Sequence, residues 1–299
     1  QELPDGALKV VAPAKVNLFL HITGRRDDGY HELESLFVFT ATGDELVFRQ
    51  SEALEFQITG PFASELQSVD GDSGNLVCQA AGLLAEAVEQ RPKGNITLTK
   101  NLPVAAGIGG GSAGAAASLI GLMALWDLNL PEGQLAEIAL KLGADVPACL
   151  HKTPLYVTGI GETLTTTKLP QNYGILLVNP LKAVSTPAIF TSFKTSAQPF
   201  DDVLPDVLQW PTDHGDFLKF LRQNTYNALQ KPAKLLCRDI TSILEVLDAQ
   251  ENLLYSAMSG SGATCFALFQ TKQQAEFAAG KIKEAHPDWW VMFDTLVAG

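Results

Sequence analysis

The feature that most constrains this chain is a stretch of 25 residues without a charged side chain, Leu102–Trp126, which contains six glycines. A membrane-spanning helix needs about 20 apolar residues, so the stretch is long enough to span. However, Pro103 and five of the glycines lie in its first half, and only Ala115–Trp126 has the composition of a continuous helix. That segment is too short for a bilayer. The stretch therefore predicts a glycine-rich loop followed by a buried helix, with no membrane span.

The glycine-rich loop has the composition of a phosphate-binding site. Glycine lets a phosphate approach the backbone N–H groups, and a helix N-terminus supplies unpaired N–H donors with a partial positive charge. Ser112 adds a hydroxyl that could contact a phosphate or an associated cation. The alternative is a close-packed turn in which glycine only lets helix and strand touch. The run GIGGGS before an alanine-rich helix favours phosphate binding.

Two common phosphate-binding classes do not fit the sequence. A Walker A loop needs GxxxxGK[ST], but Gly280-Lys281 is followed by Ile282. The spacing Gly109-x-Gly111-x-x-Gly114 formally matches a dinucleotide fingerprint. Its context is missing, because a second helix rather than a strand is expected after the first helix. The loop therefore indicates a different phosphate-binding class.

Composition limits the range of partners. The chain has 299 residues, 46% of them hydrophobic, and a formal charge of −12. These values are typical of a globular protein of about two domains. The net acidity disfavours a nucleic-acid-binding protein, which needs a basic face, but local groups can still hold an anionic small molecule. The cysteines and histidines lack metal-ligand spacing, so we expect no metal site built by the protein.

Hydrophobic periodicity predicts the elements that carry polar residues. Val10–Ile22 alternates with period two, which is typical of a strand, and Lys15 and Asn17 share one face of it. Two further strands are expected at 34–40 and 45–49, joined by a hairpin-like turn at 42–44.

The second half of the chain has its own predicted order. Short apolar strands and helices follow one another as β-α-β-β-α-β with extra helices, as in a split βαβ module. Residues 196–215, with three prolines, predict an irregular insertion. Thr271–Gln274 has the pattern of a capping box that begins a helix. We expect two domains, residues 1–165 for ATP binding and catalysis and residues 166–299 for substrate binding.

Four segments, in this order along the chain, resemble the GHMP kinases (galactose, homoserine, mevalonate and phosphomevalonate kinases). They are PAKVNLFLHITGRRDDGYHELESLF at 13–37, LPVAAGIGGGSAGAAA at 102–117, LGADVP at 142–147 and MSGSGATCF at 258–266. The resemblance implies a two-domain α+β GHMP kinase fold. Its N-terminal ATP-binding domain would be ribosomal S5 domain 2-like, and its C-terminal domain a ferredoxin-like split βαβ domain.

Within the family, the first segment resembles kinases that phosphorylate a hydroxyl of a cytidine diphosphate-linked alcohol with ATP and Mg²⁺. The resemblance implies that Lys15 and Asp145 are the catalytic pair, with Asp145 either the general base or an orienting group. It implies nucleotide binding by Asn75, Lys100, Pro103, Val104, Ala105, Ala106, Gly107, Ile108, Gly109, Gly110, Gly111, Ser112 and Ala113. It implies substrate binding by Asn17, Tyr30, His31, Thr186, Pro187 and Phe190, with the Tyr30 and Phe190 rings around the cytosine.

The sequence departs from the family pattern in two places. Members often read GGGSSDAA, whereas Ala113 and Gly114 here lack the second hydroxyl and the acid or amide. Magnesium is therefore expected to be held mainly by the nucleotide. Gln230 stands where the family usually has glutamate.

Two other functions stay open at this stage. One is a GHMP kinase with another substrate, of the mevalonate or homoserine type, and the other is a non-catalytic nucleotide-binding protein. We expect a monomer or weak dimer without nucleic-acid or membrane partners. The expected location is the cytoplasm of a bacterial-type cell, or a plastid if a transit peptide was removed.

Overall fold

The structure is a computed structural model that describes residues 1–196, 198–204 and 211–299, with only the backbone for 68–73. Its strands are β1 (Leu8–Arg25), β2 (His31–Arg49), β3 (Leu54–Thr59), β4 (Gly94–Thr99), β5 (Leu155–Thr158), β6 (Thr163–Thr166), β7 (Gly174–Asn179), β8 (Tyr255–Met258), β9 (Cys265–Phe269) and β10 (Trp290–Thr295). Its helices are α1 (Ala63–Gly74), α2 (Leu76–Ala87), α3 (Gly110–Leu125), α4 (Glu132–Leu142), α5 (Val146–His151), α6 (Thr186–Thr195), α7 (His214–Asn224), α8 (Gln230–Leu236), α9 (Asp239–Asp248) and α10 (Lys272–Ala285).

The chain divides into two compact units that are not continuous in sequence. Unit 1 comprises residues 1–14, 42–104 and 109–151, and unit 2 comprises residues 15–41, 105–108 and 152–299. The long strands β1 and β2 each contribute residues to both units. These units follow contacts rather than chain order, and the division at 165/166 stays a prediction.

Unit 1 combines a small sheet with a layer of helices. Strand β3 pairs in parallel with β4, and β4 pairs antiparallel with the C-terminal half of β2. Helix α3 packs against α2, α4 and α5. It has apolar residues all round, as the sequence predicted. At Gly121 a Cβ atom would lie 2.2 Å from the Phe48 ring, so glycine lets this ring pack on the helix backbone.

The predicted hairpin-like turn at 42–44 is wrong, because β2 runs unbroken through these residues. Glycine and aspartate are turn residues in most sequences, but each has another use here. A Cβ atom at Gly43 would lie 2.1 Å from the carbonyl oxygen of Ala12, so glycine permits a close approach of the backbone. The Asp44 carboxylate is buried and accepts hydrogen bonds from the chain that leads to α3.

Unit 2 contains the predicted split βαβ arrangement. Its antiparallel four-stranded sheet has the order β10-β7-β9-β8, which is the ferredoxin-like order. Helix α10 lies between β9 and β10 in the chain and begins with the predicted capping box at Thr271 and Gln274. A buried apolar cluster joins this sheet to α6, α8, α9 and α10. The predicted fold class is confirmed.

Other expectations need correction. Helix α3 begins at Gly110 rather than Ala115, so three residues of the GGGS run form its first turn. Strand β3 and helices α1, α5 and α7 were not predicted. Within the predicted insertion at 196–215, helix α7 begins at His214, and residues 197 and 205–210 lie outside the described part. Among the helices that the structure describes, none is both long and apolar enough to cross a membrane.

Candidate functional site

The first glycine loop, residues 105–111, bends through left-handed backbone conformations and enters α3. Ala105, Gly107 and Gly109 have φ values of 50°, 76° and 66°. Gly109 is the N-cap of α3 and provides no side-chain cap, so the N–H groups of the first turn are not held by it. Uncapped N–H groups at a helix N-terminus bind anions. This helix start can therefore bind an anion.

A buried ion pair in unit 1 holds the segment that precedes this loop in the chain. The Lys100 ammonium donates to the Asp44 carboxylate at 2.5 Å, and both side chains are buried. The other Asp44 oxygen accepts from the backbone N–H groups of Asn101 and Leu102 at 2.7 and 2.8 Å. A Cβ atom at Gly110 would lie 3.1 Å from the Lys100 ammonium. Lys100 therefore lies beside the first turn of α3, and it is held there by Asp44, which the sequence did not single out.

Asn75 lies at a second helix start beside the first turn of α3. Its side-chain oxygen accepts from the Val77 N–H at 2.9 Å, so Asn75 is the N-cap of α2. A Cβ atom at Gly111 would lie 3.4 Å from the Leu76 side chain. Asn75, Lys100 and Gly110, which were predicted to bind the nucleotide, thus all lie at or beside the N-terminal end of α3.

Strand β1 carries Lys15 and Asn17 in unit 2. The Lys15 N–H donates to the Ile108 carbonyl of the first glycine loop at 2.9 Å. The Lys15 ammonium donates to Asn17 Oδ1 at 2.9 Å and lies 4.3 Å from the centre of the Phe37 ring. Both side chains are buried. Lys15 and Asn17, which were predicted to share one face of the strand, do contact each other. Their strand is hydrogen-bonded to the first glycine loop.

A second glycine loop, residues 259–262, holds the first loop in place. Ser259 Oγ donates to the Gly107 carbonyl at 3.0 Å and accepts from the Asn17 N–H at 3.1 Å. The Thr264 N–H donates to the Ala106 carbonyl at 3.2 Å. A Cβ atom at Gly107 would lie 2.6 Å from the Gly262 carbonyl. The two loops are therefore in backbone contact.

Asn227 and Gln230 anchor the second glycine loop. The Asn227 amide donates to the carbonyls of Met258 and Gly260 at 2.7 and 2.8 Å. Gln230 accepts from the Met258 N–H at 2.9 Å, so an amide oxygen serves where the family usually has a carboxylate. The sequence reading used MSGSGATCF only as a family motif and omitted these residues from the site.

Besides Asn17 on β1, the predicted substrate residues are Tyr30 directly before β2, His31 at its start, and Thr186, Pro187 and Phe190 on α6. The His31 ring stacks on Phe190 with centroids 5.1 Å apart, while Tyr30 is 62% exposed. Thr186, at the start of α6, shares a 2.7 Å hydrogen bond with Ser261, and Pro187 follows it. One face of the Phe190 ring is therefore covered by His31. The Tyr30–Phe190 sandwich stays a prediction.

The protonation state of His31 follows from its surroundings. Burial lowers its pKa below the ordinary value, and the charges of Arg25 and Lys194 lower it further. The imidazole is therefore neutral at pH 7, with one nitrogen that donates and one that accepts. Such a ring can bind a base edge that offers both kinds of group.

Asp145 lies in unit 1, directly before α5. Its backbone carbonyl accepts from the Cys149 N–H at 3.1 Å, and its side chain is half-buried. Helix α5 packs on α3. Lys15 belongs to unit 2, and its pairing with Asp145 stays a prediction.

Comparison with known proteins gives the class. The model described as "GHMP kinases N terminal domain" matches residues 75–153, and "GHMP kinases C terminal" matches residues 204–288. A homoserine kinase from Cytophaga hutchinsonii shares the fold, with a TM-score of 0.67 at 19% identity over 100% of this chain and 96% of that one. The fold and the loops together define a GHMP kinase.

Relatives with higher identity narrow the class. The 4-diphosphocytidyl-2-C-methyl-D-erythritol kinase of Paramagnetospirillum magneticum is 44% identical over 95% of this chain and 97% of its own. That of Agrobacterium fabrum is 45% identical over 96% of each chain. A crystal structure of a 4-(cytidine 5'-diphospho)-2C-methyl-D-erythritol kinase matches with a TM-score of 0.77 at 31% identity, over 98% of this chain and 100% of that one. The chain belongs to the family of 4-diphosphocytidyl-2-C-methyl-D-erythritol kinases.

Proposed function

We propose that this protein transfers the γ-phosphoryl group of ATP to the 2-hydroxyl of 4-diphosphocytidyl-2-C-methyl-D-erythritol, in the non-mevalonate route to isoprenoids. The relatives named for this kinase, similar over nearly the whole chain, support the substrate. The observation that carries the chemistry is the 2.9 Å hydrogen bond between the Lys15 N–H and the Ile108 carbonyl. It joins the strand of the proposed catalytic lysine to the proposed phosphate loop.

Each group in the proposed reaction has one task. The uncapped N–H groups of the first turn of α3 bind the ATP phosphates, because they are donors at the positive end of a helix. Asp145 accepts the proton of the 2-hydroxyl as its oxygen attacks the γ-phosphorus. The bond from that phosphorus to the bridging oxygen breaks, and ADP leaves. Lys15 stabilises charge on the transferring group.

Magnesium would be held mainly by the β- and γ-phosphates of the nucleotide and would neutralise their charge. The described residues contain no group of three or more His, Cys, Asp or Glu side chains able to hold a metal ion. Ser112, in the first turn of α3, is the hydroxyl of this chain best suited to contact that ion. Ala113 is buried and lacks a hydroxyl.

The cytidine end of the substrate would bind in unit 2 between aromatic rings. Phe190 and Tyr30 offer ring faces, and stacking is worth about 1–3 kcal/mol per base. The neutral His31 ring would hydrogen-bond the cytosine edge after leaving the face of Phe190 on which it stacks. Thr186 and Pro187 lie at the start of α6, one turn from Phe190.

We further propose a monomer or weak dimer in the cytoplasm of a bacterial-type cell. The bacterial origin of the relatives supports this location. A plastid location would require a transit peptide that was removed.

The substrate assignment is tested by measuring ADP release with 4-diphosphocytidyl-2-C-methyl-D-erythritol, mevalonate and homoserine as alternative acceptors. We expect turnover with the first compound and little with the others. Faster turnover of mevalonate or homoserine would assign another GHMP activity. Absence of turnover with all three would favour a nucleotide-binding protein without catalysis.

The role of Asp145 is tested by Asp145→Asn, which keeps the shape of the side chain and removes the base. We expect kcat to fall by about 10²-fold or more, with ATP affinity unchanged. Asp288→Asn is the matched control, because Asp288 is exposed in a turn beyond α10. An unchanged rate in Asp145→Asn would exclude Asp145 as the base.

A further inference from the structure

A chain of three hydrogen bonds runs from a backbone carbonyl to the Lys15 ammonium. Ser35 Oγ donates to the Phe19 carbonyl at 2.5 Å. The Asn17 amide nitrogen donates to Ser35 Oγ at 2.8 Å, and the Lys15 ammonium donates to Asn17 Oδ1 at 2.9 Å. Ser35 is fully buried, and the side chains of Lys15 and Asn17 are 5% and 2% exposed. These three hydrogen bonds are therefore shielded from bulk water.

The direction of every bond in this chain is fixed by its two ends. A carbonyl oxygen can only accept, and an ammonium can only donate. The Ser35 hydroxyl proton is therefore donated to the Phe19 carbonyl. Towards Asn17, Ser35 Oγ can then only accept a hydrogen bond. A flipped Asn17 amide would face Ser35 with an acceptor and Lys15 with a donor, and both bonds would be lost.

Neighbouring residues pack closely around Asn17 and restrict the orientation of its side-chain amide. Its backbone N–H donates to Ser259 Oγ. A Cβ atom at Gly260 would lie 3.3 Å from Asn17 Oδ1, so the second glycine loop packs closely on this oxygen. The Phe37 ring lies under the Lys15 ammonium. The orientation of the Asn17 amide thus decides whether its oxygen faces the Lys15 ammonium.

We infer that Ser35 is a positioning residue for phosphoryl transfer, which acts through Asn17 to hold the Lys15 ammonium. The inference rests on the proposed function of Lys15. Its chemical basis is that a buried amide without the serine acceptor loses a partner for its nitrogen. The amide can then rotate, and the ammonium loses its hydrogen bond to Asn17 Oδ1. Small displacements of a catalytic group lower the rate of the chemical step more than they lower substrate binding.

The variant Ser35→Ala tests this role. We expect kcat to fall about tenfold or more, while KM for ATP changes by less than about twofold. Ser35→Thr keeps the hydroxyl and is expected to restore most of the rate. Ser118→Ala is the matched control, because Ser118 is also fully buried and donates to a backbone carbonyl, that of Gly114, at 2.8 Å. We expect it to affect thermal stability and leave kcat unchanged.

A double-mutant cycle separates positioning from a general effect on the fold. In an Asn17→Ala background, Ser35→Ala should have no further effect on kcat, because the residue through which it acts is gone. The same fold-loss in both backgrounds would overturn the inference, and so would a wild-type kcat in Ser35→Ala. If Ser35→Ala does not fold, Ser35→Cys, with a weaker acceptor of similar shape, replaces it in the same cycle with the same criteria.

A readout that does not need turnover distinguishes this inference from the proposed function. The rate of Lys15 acetylation by acetic anhydride, followed by mass spectrometry, reports the surroundings of the ammonium. We expect Ser35→Ala to raise this rate several-fold, about as much as Asn17→Ala does. An unchanged labelling rate overturns the positioning role even if the parent is the proposed kinase. A raised rate supports it even if the parent phosphorylates a different alcohol.

Discussion

The two glycine loops have similar composition but different uses of glycine. In the second loop, Cβ atoms at Gly260 and Gly262 would lie within 3.0 Å of the Gly107 carbonyl and the Met258 sulfur. In the first loop, Gly107 is closed in by the second loop, whereas a Cβ atom at Gly111 would meet only the Leu76 side chain, at 3.4 Å. Glycine content alone therefore does not locate a ligand. The proposed ligand side is where the N-cap glycine of α3 provides no side-chain cap, and the other glycines let the backbones approach each other closely.

The largest expected effect is at the contact between the loops. Gly107 has a φ of 76° and a Cβ atom there would lie 2.6–2.8 Å from three backbone atoms of the second loop. Gly107→Ala should therefore lower the free energy of unfolding by about 3 kcal/mol, from overpacking and backbone strain. It should also abolish measurable ATP binding. Chemical denaturation and calorimetric titration measure the two quantities.

Gly111→Ala is the control for that variant. Its Cβ atom fits at ordinary contact distance, so stability should change by less than about 1 kcal/mol. ATP affinity should fall because Gly111 belongs to the first turn of α3, the proposed phosphate site. Equal losses of stability in Gly107→Ala and Gly111→Ala would contradict the division of roles between these glycines.

A smaller loss is expected when the second loop loses its anchor. Asn227 is buried and its amide donates to two carbonyls of that loop. Asn227→Ala leaves both carbonyls unpaired and should lower the free energy of unfolding by about 2–3 kcal/mol. KM for ATP should rise, because the first loop rests on the second. Urea denaturation and steady-state kinetics measure these changes.

The matched control for the anchor is Asn95→Ala. The Asn95 amide donates to Glu55 at 2.7 Å but is exposed, so its loss should cost less than about 0.5 kcal/mol. A KM for ATP that does not change in Asn227→Ala would show that the second loop does not support the nucleotide site.

The comparison also explains what could be predicted from the sequence. Local patterns were sufficient for the β1 face with Lys15 and Asn17 and for the capping box of α10. Such features depend on residues only a few positions apart, so the local sequence pattern is enough to predict them. The resemblance to a family then supplied the fold class and the candidate site residues.

Features set by contacts between distant segments could not be predicted in this way. Asp44 bonds to Lys100, 56 positions further along the chain, and Ser259 bonds to Asn17, 242 positions away. Neither contact leaves a local pattern. Asp44 follows a glycine and therefore looks like a turn residue, although its carboxylate is buried in an ion pair. Contacts of this kind become visible only when the backbone is in place.

The smallest expected effect is at Gly114, a glycine that lies neither at the proposed ligand side nor at the contact between the two loops. Gly114 lies inside α3, and a Cβ atom there would make ordinary contact with Val77 at 3.8 Å. Gly114→Ala should raise the free energy of unfolding by about 0.5–1 kcal/mol, because alanine has less freedom to lose on folding into a helix. Activity should not change, since the substitution leaves the first turn intact.

Gly121→Ala, in the same helix, is the control with opposite sign. Its Cβ atom would overlap the Phe48 ring, and we expect thermal unfolding to show a loss of about 1–3 kcal/mol. A loss in both variants would mean that Gly114, like Gly107, is required by packing.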